Sequence, residues 1–224
     1  MEIVVKNKEQ EFFATVTDVD IKKINDSDFM KIRETLENYG VVVLKNQNIN
    51  DEDQIEFSKK FGNLEKALDH DRLQGIRDEI TRISNVDENN NILPVDSKKV
   101  IYDRGNRSWH SDSSYKSIPS QFSILSSREI PNQGGGTEYI DARHALETWE
   151  TKNHKYSLED LKEQICEHSI VYSRMVNTGD IFDENYKNKM PFVKQRLIRT
   201  HPFTKRSAFY VGSHCSHIVG WDIE

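Results

Sequence analysis

The 224-residue chain is 35% apolar and 30% charged, a composition that fits a soluble globular protein, and it has no uninterrupted apolar stretch of membrane-spanning length, which excludes a membrane-spanning helix. Its formal net charge is −6, with basic residues scattered among acidic ones, so a nucleic-acid or anionic-membrane partner is not expected, while a small anionic substrate stays compatible with it, since a local basic pocket can sit inside a net-acidic protein. Two cysteines, Cys166 and Cys215, are too few for a disulfide scaffold, and the opening MEIVVKNKEQEFF has no apolar signal region, so the expected location is the cytoplasm.

In chain order, FFATVTDVDI (12–21) alternates enough to predict a strand leading into a loop. DSDFMKIRETLENYG (26–40) predicts a helix with Phe29, Ile32 and Leu36 on one face, Asp26 or Ser27 as its cap and Gly40 at its close. The β-branched run VVVLKNQ (41–47) predicts a buried strand. A second helix is expected over NDEDQIEFSKKFG (50–62), capped by Asn50 and followed by Gly62. Residues 63–108 read as polar and irregular, with DENNN (87–91) as a turn or mobile loop. Beyond 108 short strands are expected at QFSILSS (121–127), GTEYID (136–141), RLIRTH (196–201) and SAFYVG (207–212). Helices are expected near 142–150 and 157–168. Short, non-repeating strands on long connections predict a mainly β fold with flanking helices, a sandwich or jelly roll.

SWHSDSSYK (108–116) raises the question of metal binding. In a strand, residues two apart share a face, so His110 and Asp112 would project together. An imidazole and a carboxylate are two of the three ligands of a facial triad that holds Fe(II) with open positions. With eight histidines and 18 aspartates, chance alone predicts about 0.6 His-x-Asp triplets, so by spacing alone a hydrogen-bonded surface pair is the better reading. PNQGGGTEYID (131–141) places three glycines before Thr137, which suits either close approach of backbone to a ligand or a tight turn. A threonine hydroxyl there could bond a carboxylate.

WHSDSSY (109–115), GGGTEYID (134–141), RTHP (199–202) and FYVGSHCSHIVG (209–220) together resemble the TauD/TfdA family of Fe(II)- and 2-oxoglutarate-dependent dioxygenases. ENYGVVVLKNQNI (37–49), FGNLE (61–65) and ISNV (83–86) fit the same pattern in the same order, over essentially the whole chain. The resemblance is closer to the 2,4-dichlorophenoxyacetate (aryloxyalkanoate) branch. The taurine branch carries a His-x-His-Pro just after the Phe-Gly, where Leu64–Lys66 here bring no histidine.

The resemblance implies a single domain over 1–224 with a double-stranded β-helix (jelly roll) core. His110 and Asp112 would be iron ligands and Thr137 a contact of 2-oxoglutarate. Asn106 and His201 would lie at the substrate pocket. It implies Fe(II), with 2-oxoglutarate and O2 as co-substrates, and hydroxylation of a small aryloxyalkanoate- or sulfonate-like acid with release of succinate and CO2. Arg104 or Arg107 could hold the acid group, or belong to a solvated loop. The family's second iron-binding histidine and its arginine for the far carboxylate of 2-oxoglutarate lie further downstream than HIVGWDIE (217–224). The chain is therefore expected to lack that C-terminal part, and His214 and His217 do not match the distal position. The alternative is a shortened, non-catalytic member that binds a small acid or serves as a dimerisation module in a homo-oligomer.

Overall fold

The structure, a computed structural model, describes residues 1–66, 78–87 and 89–222. Part of the stretch read as irregular, residues 67–77, thus lies outside the described residues, as does Glu88 of the DENNN turn. The elements run β1 (Glu2–Asn7), β2 (Phe12–Thr17), α1 (Asp26–Tyr39), β3 (Val42–Leu44), α2 (Asp51–Lys59), α3 (Lys98–Arg104), α4 (Ala142–Glu147) and α5 (Leu158–Leu161). Then follow β4 (Ile165–His168), α6 (Ile170–Thr178), α7 (Glu184–Lys189), β5 (Val193–Arg196), β6 (Ile198–Thr200), β7 (Ser207–Phe209) and β8 (Cys215–Ile218). They fall into two compact units.

The first unit comprises residues 1–81, 124–145 and 201–206. Asn25, not Asp26 or Ser27, caps α1 by accepting the Asp28 N–H, and Gly40 closes the helix at φ 75°, a conformation that favours glycine. Asn50 and Asp53 form a reciprocal capping box at α2. β1 pairs antiparallel with β2, and β2 pairs parallel with β3. α1 and α2 bring Phe29 and Phe57 together with Ile21, joined by Phe61, Leu44 and Ile124. The three phenylalanine rings meet edge to face at 5.0–6.2 Å. Arg143 binds Asp141 through Nε at 2.9 Å and donates to the carbonyls of Asn38 and Glu11, tying the end of α1 to the β1–β2 turn.

The second unit comprises residues 82–123, 146–200 and 207–224. Its three-stranded sheet has the order β5-β4-β8, all antiparallel, and β6 and β7 form a separate pair. An apolar cluster of Leu161, Cys166 and Leu197 packs with Trp149, Tyr156, Phe209, Cys215 and Trp221. Both cysteines are free thiols.

Several expected elements differ. Residues 165–168 are strand β4, not the end of a helix over 157–168, because the ladder to β5 and β8 claims their backbone. Neither 121–127 nor 136–141 pairs as a strand among the described residues. The long connection also contains α3, capped by Ser97. The result is mixed, helices with three small sheets, and no closed barrel forms among the described residues. No helix among them is long and apolar enough to cross a membrane.

Candidate metal centre

His110 and Asp112 do not lie in a strand. They enter a turn over 112–115 in which Ser113 takes φ 50°. The two side chains nevertheless converge: His110 Nε2 lies 3.2 Å from Asp112 Oδ1. The turn replaces the expected strand geometry because buried polar groups hold it. Ser113 Oγ accepts the Ser120 N–H at 2.8 Å, and Gln195 of β5 donates to the carbonyls of Ser114 and Lys116. Ser114 Oγ bonds His168 Nδ1 of β4 at 3.1 Å. On the other side the Ser213 N–H donates to the Trp109 carbonyl at 2.7 Å. Gly212 is required beside it, since a Cβ there would sit 2.9 Å from His110 Cα.

Each member of the pair is anchored at its other heteroatom. His110 Nδ1 is 2.7 Å from the Ser108 carbonyl, which only accepts, so Nδ1 carries a proton and Nε2 faces Asp112. Asp112 Oδ2 accepts from Ser123 Oγ at 2.6 Å, leaving Oδ1 towards His110. Two donor atoms bound at right angles to one metal, at bonds of about 2.1 Å, stand about 3 Å apart. The 3.2 Å separation fits that arrangement. The anchors at Ser108 and Ser123 fix both side chains in the way that outer hydrogen bonds do in metal sites.

The electrostatics agree. Its bond to Asp112 raises the pKa of His110 above the usual histidine value, aided by the Ser108 carbonyl. The His110 bond, and then Ser123, lower that of Asp112. Two facing lone pairs call for a shared cation, either a proton or a metal. Among the described residues no group of three histidine, cysteine or carboxylate side chains is placed to hold a metal. His214 lies near, its ring 5.7 Å from that of His110, but it is buried with Nδ1 held by Ser173 Oγ at 2.8 Å. Burial and the Arg174 charge push its pKa down to about 3.

Asn106 belongs to the same unit as the pair, and its Oδ1 accepts from Arg174 Nη2. Thr137 and His201 belong to the first unit. Thr137 is exposed after Gly134 and Gly135, which both take positive φ. His201 Nε2 lies 2.9 Å from Glu37 Oε2, and Nδ1 accepts from the Thr204 N–H. Arg104 is exposed and donates to the Val95 carbonyl at 2.6 Å. Sequence reasoning missed Ser123, Gly212 and helix α6, whose Ser173, Arg174 and Asn177 bond His214, Asn106 and Ser108 respectively. Ser169, the cap of α6, was the available signal.

The family model of the taurine catabolism dioxygenase TauD, TfdA family matches residues 6–224. The chain belongs to the TauD/TfdA family. It is 30% identical over 213 residues to the alpha-ketoglutarate-dependent 2,4-dichlorophenoxyacetate dioxygenase of Cupriavidus pinatubonensis, covering 93% of this chain and 73% of that one. It is 27% identical to the (S)-phenoxypropionate/alpha-ketoglutarate-dioxygenase of Delftia acidovorans, covering 93% and 70%. These relatives are enzymes. Among solved structures, AAD-2 in complex with Mn(II) and N-oxalylglycine matches with a TM-score of 0.83 and 30% identity, over 95% of this chain and 73% of that one. A taurine dioxygenase from Burkholderia xenovorans shares the fold at a TM-score of 0.66 and 23% identity, over 94% and 64%. This TauD/TfdA member is thus more similar to the 2,4-dichlorophenoxyacetate relatives than to that taurine enzyme.

Proposed function

We propose that the chain carries two ligands of an Fe(II) centre, His110 through Nε2 and Asp112 through Oδ1, in a 2-oxoglutarate-dependent dioxygenase acting on a small organic acid of the aryloxyalkanoate or sulfonate kind. The observation that supports it most is the 3.2 Å approach of the two donor atoms, each tied at its other end, in a TauD/TfdA chain. Bound iron, with 2-oxoglutarate and O2, supplies decarboxylation to succinate and CO2 and hydroxylation of the substrate.

The chain's own residues orient and exclude. The Ser108 carbonyl keeps the His110 ring with Nε2 turned to the metal position, and Nε2 must be free of its proton for a metal to bind. Ser123 holds the carboxylate so that Oδ1 is the ligand. Asn106 lines the substrate pocket. In this reading β4–β8 belong to a double-stranded β-helix core. The chain spans 73% of the length of the 2,4-dichlorophenoxyacetate relative.

The test begins with Mn(II) binding to the full 224-residue chain, read by electron paramagnetic resonance. Binding is expected, weakened at least roughly tenfold in His110→Ala and in Asp112→Ala. Affinity that ignores both substitutions sinks the metal assignment. Anaerobic addition of Fe(II) and 2-oxoglutarate then asks whether the ligand set is complete. A visible charge-transfer band means that no ligand from outside the chain is needed; a folded chain without the band locates the remainder elsewhere.

A further inference from the structure

Arg174, on α6, is only 4% exposed, and among the described residues its guanidinium has one hydrogen-bond acceptor, Asn106 Oδ1 at 2.7 Å. The guanidinium lies over the Tyr102 ring, 4.4 Å from its centroid. Gly105 leaves it room, since a Cβ there would come within 2.7 Å of Arg174 Cζ. Among the described residues Nε has no partner, and no carboxylate forms an ion pair with Arg174. A buried cation without a counter-ion is costly unless an anion joins it.

The direction of the hydrogen bond carries the argument further. A guanidinium only donates, so Asn106 Oδ1 is the acceptor and the amide N–H groups on Nδ2 turn away from Arg174 as donors. The pair thus presents donors with a net positive charge behind them, which favours a carboxylate over a neutral amide, whose carbonyl accepts the same bonds without the charge. Helix α6 also holds Ser108 through Asn177, so a test must separate the charge from the docking of the helix.

We propose that Arg174 is the positioning residue that makes this site select an acid: it fixes Asn106 with its amide N–H groups towards the substrate's carboxylate and supplies the charge behind them. The inference rests on the function proposed above, in which Asn106 lines the substrate pocket.

The test measures binding of phenoxyacetate and of its neutral counterpart phenoxyacetamide to the full chain by calorimetry, with and without Mn(II). The wild type is expected to prefer the acid by roughly tenfold or more. Arg174→Met keeps bulk and removes charge, so the preference falls to within about twofold while amide affinity is unchanged. Asn106→Asp gives Arg174 an internal counter-ion, with the same loss of acid preference and a higher thermal midpoint. If Arg174→Met fails to fold by circular dichroism, Asn106→Asp carries the test. The proposal is overturned if the preference survives both variants, if Arg174→Met weakens both probes equally, or if the wild type shows no preference or binds neither probe. Its failure is distinct from that of the metal reading. Mn(II) binding that depends on His110, beside an acid preference that ignores Arg174, leaves the dioxygenase site standing without this inference. Acid preference that follows Arg174 in a chain whose Mn(II) binding ignores His110 is the reverse case.

Discussion

The first unit's enclosed side chains centre on hydrocarbon, Ile21, Phe29 and Phe57, whereas the second unit encloses Ser113, Ser114, His168, Ser169, Ser173, Arg174, Gln195 and His214. Burying polar groups gains little stability over apolar packing and is tolerated where each finds a partner. Here the partners are what matters: Ser114 with His168, Gln195 with the 114 and 116 carbonyls, Ser173 with His214. These bonds grip a turn that no ladder holds, the turn that carries His110 and Asp112. The second unit thus adds to its apolar cluster of Leu161, Cys166 and Leu197 a set of buried polar contacts that serve placement.

That contrast can be broken at four points. Phe57→Ala in the first unit is expected to cost about 3–5 kcal/mol in urea unfolding, because it removes a ring from the phenylalanine trio. Mn(II) affinity of the remaining folded chain should not change.

The second point is acid. Burial holds His214 neutral with its pKa pushed to about 3, while the unfolded ring protonates near its ordinary value of about 6.5. Its contribution is therefore complete above pH 6.5 and is lost as the pH falls towards 3, at up to about 1.4 kcal/mol per pH unit. His110 acts in the opposite sense. Its raised pKa adds stability that is complete below 6.5 and is lost as the pH rises through that raised value, so it does not contribute to the acid loss. His214→Gln should flatten the slope of unfolding free energy between pH 6 and 4.5; an unaltered slope would assign the acid sensitivity elsewhere.

Third, Ser123→Ala frees Asp112 Oδ2 and is expected to weaken Mn(II) binding about 10- to 100-fold with little change in the thermal midpoint. A matching loss of stability with no loss of metal affinity would show Ser123 to be a fold residue. The smallest effect is expected from Asn50→Ala, which opens the capping box of α2 at a cost of about 1 kcal/mol and leaves metal binding untouched. Any change in Mn(II) affinity there would argue that the division of labour between the two interiors is false.

Local signals made the first unit readable. Helices α1 and α2 and strand β3 follow from apolar spacing, cap residues and a β-branched run, and each was placed to within a few residues. At the site, the sequence determined which residues are candidates: His110 and Asp112 by their motif, and the family by the order of WHSDSSY, GGGTEYID, RTHP and FYVGSHCSHIVG along the chain. Only the tertiary structure decided how the pair converges, through a turn held by Ser123, Gln195, His168 and the Gly212 backbone, drawn from segments up to about a hundred residues away. Periodicity records which face of a helix or strand is buried. It carries no record of a polar partner that arrives from a distant segment, and those partners are what set the geometry here.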